Sequence, residues 1–217
     1  GKRLEIDIID AHMHIGPSAG YLLEDQTEDD QIALALKTMD KIGIKKAIAS
    51  GLYALLGDAV KGNDLLEEKL APHSDRLVAY VGFNPFFDKE LVERFDRYFA
   101  GKVFVGFKTL CAYWGVPITD KRFKPMFEYA EEHCLPVLSH SWNDPFDNPT
   151  LFKELAKDYP NVAFLIAHSG GSNDGRRDLE EMVPDYPNIY MEWCGSFCSN
   201  ILWEETLKKV PVEQVVF

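Results

Sequence analysis

Positive charge is scarce in this sequence. Its 217 residues carry 23 lysines and arginines against 35 aspartates and glutamates, a formal net charge of −12. A nucleic-acid binder needs a basic stripe that displaces counterions from phosphates, so no nucleic-acid partner is expected. Long apolar runs are lacking too. Runs such as Val162–Ala167 fall far short of the roughly 20 residues that span a bilayer, so no membrane partner is expected. Cysteine is sparse, limited to Cys111, Cys134, Cys194 and Cys198. With no apolar signal-peptide core at the N-terminus, these read as reduced thiols of a cytoplasmic protein. The Cys194–Cys198 spacing is a weak metal signal beside the plainer reading of two semi-buried thiols. Internal repeats, low-complexity tracts and linkers are also missing, so residues 1–217 read as one domain.

What the sequence does have is alternation. Short runs rich in Val, Ile and Phe fall at Glu5–Asp10, Lys46–Ser50, Leu77–Val81, Val103–Lys108, Pro136–His140, Val162–His168, Ile189–Glu192 and from Val215 onward. Several are apolar on both faces, as in strands of a covered parallel sheet. Between them lie helical patterns at Asp29–Ile42, Asn63–Leu70, Asp88–Phe99, Lys124–His133, a segment opened by Asn148-Pro149, Asp178–Val183 and Asn200–Val210. Strict alternation leaves a barrel or a doubly wound sheet. The first strand leads into Asp10-Ala-His-Met-His-Ile-Gly16 rather than a glycine-rich dinucleotide turn, which favours a (β/α)8 TIM barrel. The sequence ends at Val215-Val216-Phe217, inside the expected eighth strand. This predicts a barrel truncated in strand eight and lacking its final helix.

Histidine placement carries the chemistry. Of the six histidines, His12 and His14 close strand one, His140 closes strand five and His168 closes strand six; His73 and His133 fall near helix ends. Residues i and i+2 of a strand share a side, so His12 and His14 can share an ion. Neutral imidazoles suit Zn2+, and a catalytic site commonly takes three protein ligands plus water. His140 stands where a third ligand from across a barrel would come from.

These residues also carry a resemblance. Ile9-Asp-Ala-His-Met-His-Ile-Gly16 resembles the opening signature of the amidohydrolase superfamily. Leu138-Ser-His140 and Ile166-Ala-His-Ser-Gly-Gly171 resemble the strand-five and strand-six signatures of its amidohydrolase-related branch, TIM-barrel hydrolases and non-oxidative decarboxylases. The resemblance implies His12, His14 and His140 as ligands of Zn2+ or another divalent ion such as Mn2+, with His168 as a further ligand or a proton shuttle. It also implies a metal-binding aspartate directly after strand eight, a position that would follow Phe217.

Lys108 ends strand four and has three readings: a carboxylated lysine bridging two metals, as in some superfamily members, a cation holding a substrate carboxylate, or a plain salt bridge. Gly106 leaves space beside it. Asp10 reads as support for the ligand pair. Segments Ser141–Asp144, Glu192–Cys194 and Tyr113-Trp114 mix aromatic and polar groups and suit a pocket wall or ordinary loop packing. No serine has a nucleophile-elbow context. The first function expected is hydrolysis of a C–N or C–O bond in a small amide, lactone or ester, with Lys108 and His168 catalytic. The alternatives are decarboxylation of a small unsaturated or aromatic acid and a metal-binding but inactive homologue. The expected partners are a small-molecule substrate and, as a further option, a second copy of the chain in a homo-oligomer.

Overall fold

Strand and helix alternate along the chain as the apolar runs require. The computed structural model describes residues 6–17, 27–195 and 200–217. Its strands are β1 (Ile8–Ile15), β2 (Ile44–Gly51), β3 (Leu77–Gly82), β4 (Phe104–Thr109), β5 (Pro136–Ser139), β6 (Ala163–Ile166), β7 (Ile189–Glu192) and β8 (Val215–Val216). They form one sheet in sequence order, the strand order of a (β/α)8 barrel. The α-helices among the described residues are α1 (Glu28–Ile42), α2 (Leu52–Leu56), α3 (Ala59–Leu70), α4 (Asp88–Val92), α5 (Phe95–Ala100), α6 (Cys111–Trp114), α7 (Lys124–Glu132), α8 (Phe152–Asp158), α9 (Asn173–Met182) and α10 (Asn200–Thr206). None is long and apolar enough to cross a membrane. Two compact units result, one of residues up to Phe83 with Lys89–Val105, the other of Asn84–Asp88 with Gly106–Phe217.

In the first unit β1 pairs with β2 and β2 with β3, all parallel. Every residue of β3 is buried, as a strand covered on both faces demands. Thr27 starts α1 with a capping box, its hydroxyl accepting from the Asp30 amide while the Asp30 carboxylate accepts from the Thr27 amide. Strand β1 extends to Ile15, five residues past the apolar run that ends at Asp10 and one past His14, and carries a bulge. Asp10 faces Ala47 and Met13 faces Ala49, so β1 spends three residues where β2 spends two.

The second unit pairs β4 through β8 in parallel register. Its core is aromatic: Phe107, Phe123, Phe127, Phe152 and Phe164 are fully or almost fully buried. Each such burial contributes about 2 kcal/mol. Helix α9 begins five residues before the expected Asp178, because Ser172 caps it by accepting from the Gly175 amide. The space expected at Gly106 is taken by backbone. A Cβ there would lie 2.5 Å from the Pro136 carbonyl oxygen of β5, so this glycine serves strand contact.

Candidate active site

In the second unit the ends of β4, β5, β6 and β7 bring chemistry together. Lys108, the penultimate residue of β4, is 1% exposed. Burial pulls its pKa down to about 8, against the pull of Glu192, Cys194 and Asp147, so at neutral pH it remains mostly an ammonium. The next residue, Thr109, anchors the β5 tip: its hydroxyl donates to Ser139 Oγ at 2.9 Å, and its carbonyl accepts from the His140 amide at 3.0 Å. Ser139 Oγ in turn donates to the His140 carbonyl. His140 is therefore held by a buried hydroxyl pair as well as by the sheet.

His168 stands past β6 in a left-handed turn. It has φ 57° and ψ 18°, Ser169 has φ 46°, and Gly170 and Gly171 continue with positive φ. Two non-glycine residues in this region cost about 1–2 kcal/mol each. Glu192, at the end of β7, offsets that cost. Its Oε2 accepts from the His168 amide at 3.2 Å and its carbonyl accepts from Ser169 Oγ at 3.0 Å. The strain has a geometric result: His168 Nε2 lies 3.1 Å from His140 Nδ1, and His168 Nδ1 lies 3.1 Å from Cys194 Sγ. Cys194 Sγ donates to Glu192 Oε2 at 3.0 Å. Burial, then the neighbouring Lys108 charge, lowers the His168 pKa, so its imidazole is neutral near pH 7. Burial raises the Glu192 carboxyl, and burial with the Glu192 charge raises the Cys194 thiol well above its usual range.

Aromatic side chains flank the imidazoles. The Trp142 ring runs parallel to His140 (7°, centroids 6.0 Å) and edge-on to His168, while Tyr113 meets His140 edge-on at 5.4 Å. Both remain reachable from solvent, Tyr113 at 66% and Trp142 at 39% exposure. Trp114 instead stacks on the buried Phe123. Asp147 fixes the loop: fully buried, it accepts from the Trp142 amide at 2.9 Å and the Ala112 amide at 3.1 Å. Burial pushes its carboxyl up to about 7, outweighing the two amides.

In the first unit the His12 and His14 rings lie 4.9 Å apart, tilted by 52°. Asp10 Oδ1 accepts from the His12 backbone amide at 2.9 Å. His14 also lines a cavity of about 280 Å³ with Asp10, Met13 and apolar residues of α1 such as Leu34 and Ile42. His73 falls in the 3-10 turn after α3, and His133 caps α7 with its ring 4.2 Å from Tyr129. Cys198 lies outside the described residues.

Imidazoles joined by carboxylates form a nitrogen–oxygen donor set that fits zinc or manganese. The first unit offers His12, His14 and Asp10; the second offers His140, His168 and Glu192. Sequence reasoning passed over Asp147 and the Thr109–Ser139 pair, since a buried acid in a loop and two strand-end hydroxyls leave no spacing signal. It noted Glu192 only as a wall, and Cys194 as a wall or as half of the weak Cys194–Cys198 metal signal, because their link to His168 depends on the left-handed turn.

The sequence model of the amidohydrolase family matches residues 9–216. No curated protein matches the chain in sequence. Among solved structures, 2,6-dihydroxybenzoate decarboxylase from Rhizobium is similar at a TM-score of 0.71 with 16% identity, covering 97% of this chain and 86% of that one. An amidohydrolase from Staphylococcus aureus, provisionally so assigned, reaches 0.70 with 14% identity over 97% and 86%. Dihydroxybenzoic acid decarboxylase from a Polaromonas species, solved with bound manganese and the inhibitor 2-nitroresorcinol, reaches 0.62 with 15% identity over 97% and 85%.

Proposed function

The chain belongs to the amidohydrolase family, and from that premise we propose that it is a metal-dependent, non-oxidative decarboxylase of a small aromatic or unsaturated acid. The observation that carries this reading is the buried Lys108 ammonium in the same unit as the solvent-reachable rings of Tyr113 and Trp142. A cation in a low-dielectric interior pairs strongly with a carboxylate, and flat aromatic walls suit a flat substrate. Two of the similar structures named above are decarboxylases of dihydroxybenzoates, which supports the same class.

The donors expected to hold the ion are those the resemblance assigns, His12, His14 and His140, with His168 as a further ligand or a proton shuttle. A divalent ion there would supply a Lewis acid for substrate oxygens. Manganese is the first choice, given the Polaromonas structure, ahead of the zinc that imidazole chemistry alone suggests. This chain's residues would bind and orient. Lys108 meets the carboxylate, and the Trp142 and Tyr113 rings hold the ring plane. In the reaction the carbon–carboxylate bond breaks, carbon dioxide leaves, the bonding pair stays on carbon, and a proton replaces the lost group.

Hydrolysis of a small lactone, amide or ester is the second reading. It is favoured by the neutral His168 imidazole, a suitable proton shuttle near pH 7. One experiment separates the two. The manganese-loaded protein is incubated with carboxyl-13C hydroxybenzoates and, in parallel, with lactones and amides. Labelled carbon dioxide that disappears in Lys108→Met supports decarboxylation. Lactone or amide cleavage without carbon dioxide release overturns it in favour of hydrolysis, and bound metal with neither activity points to the inactive homologue.

A further inference from the structure

We propose that Asp147 is the positioning residue that makes the site selective for a flat ring, by tying both aromatic walls to one buried carboxylate. Such selectivity presupposes the aromatic-acid reading, and every group involved lies in the second unit. Asp147 Oδ1 accepts from the Trp142 amide at 2.9 Å, and Oδ2 accepts from the Ala112 amide at 3.1 Å, 35 residues away in sequence. Ala112 sits in the first turn of α6, next to Tyr113, and the N-cap of that helix is Leu110, which has no polar group to offer. Asp147 therefore supplies, from the loop after β5, the cap that α6 lacks locally. Its own backbone is fixed in turn. Ser141 Oγ donates to the Asp147 carbonyl at 2.8 Å, and the Asp147 amide donates to Asp144 Oδ1 at 3.3 Å.

The two walls form a corner. Trp142 lies within 7° of the His140 plane and Tyr113 stands at 82° to it, so the two ring planes are close to perpendicular. A flat ring can lie face to face with one and edge-on to the other, while a puckered ring of similar size gains neither contact. The corner keeps its shape only if both loops keep their places, and each is held by one oxygen of the same carboxylate. An asparagine cannot replace it. Its side chain has one acceptor oxygen and one donor nitrogen, so one of the two backbone amides would face a donor.

The test is calorimetric titration in manganese-containing buffer with benzoate and cyclohexanecarboxylate, equal in charge and similar in size but different in flatness. Only equilibrium affinity is read, so turnover does not enter. Wild type is expected to bind benzoate about 10-fold more tightly, the order of one well-placed aromatic contact. Asp147→Asn should lose most of that preference. The Asp147 carboxylate also acts electrostatically on Lys108, but this weighs on both acids alike and cancels in the ratio. With Tyr113→Leu and Trp142→Leu already present, Asp147→Asn should change the ratio no further. Ser141→Ala, a milder change that releases only the Asp147 carbonyl, should lower the preference in the same direction, and it decides the matter if Asp147→Asn does not fold. A wild-type preference that survives in the deciding variant overturns the proposal and leaves the aromatic-acid reading standing. Equal affinities in the wild type overturn both.

Discussion

Lys108 condenses the functional argument into one side chain. A lysine in water titrates near 10.4, and burial brings this one to about 8. The two consequences of that shift have opposite signs. Below the folded pKa the ammonium is charged in both states and the fold carries its desolvation cost. Between about 8 and the unfolded value the unfolded chain binds the extra proton, so stability attributable to Lys108 rises with pH, by up to about 1.4 kcal/mol per unit. Binding of a carboxylate needs the charge, so kcat/KM should fall as pH rises through about 8. Kinetic and urea-denaturation profiles on the same samples check both. Lys108→Arg, charged throughout, should remove the alkaline fall in kcat/KM while lowering its plateau, because a fork replaces a point charge. An alkaline fall that persists in Lys108→Arg would assign it to another group.

At the scale of elements, the turn after β6 shows how sequence and structure divide the information. Gly171 has φ +67°, and a Cβ there would stand 2.4 Å from the Trp142 ring. Gly171→Ala is therefore expected to cost about 2 kcal/mol or more from backbone and overlap together. It should also displace Trp142 from His140, visible as a changed tryptophan emission before unfolding begins. A variant as stable as wild type with unaltered emission would show that the turn does not hold this ring. The strand identities were legible, since apolar runs on both faces leave little choice, and His140 and His168 could be placed at strand ends from the sequence. The β1 bulge and the left-handed stretch from His168 to Gly171 were not. Both depend on partners distant in sequence, β2 for the bulge and Glu192 for the turn, and neither has a local spacing signature. The split of the expected Asp88–Phe99 helix into α4 and α5 escaped for a related reason, because apolar spacing alone does not mark a break.

For the whole molecule the deciding quantity is charge. A chain of formal charge −12 repels an anionic substrate at long range, and the buried Lys108 acts only at contact. Salt shortens the reach of that repulsion, from a Debye length of about 30 Å at 0.01 M to about 8 Å at 0.15 M. A hydroxybenzoate should therefore be turned over with a kcat/KM that increases a few-fold across this range, mostly through a lower KM. A neutral lactone should show no such trend, having no charge for the field to act on. Measuring kcat/KM against ionic strength for one anionic and one neutral substrate tests the charge argument independently of which bond is broken. A decrease with salt for the anion would mean that the local field at the site is positive enough to attract it. Lys108 would then act in steering as well as in holding the carboxylate, and the decrease should vanish in Lys108→Met.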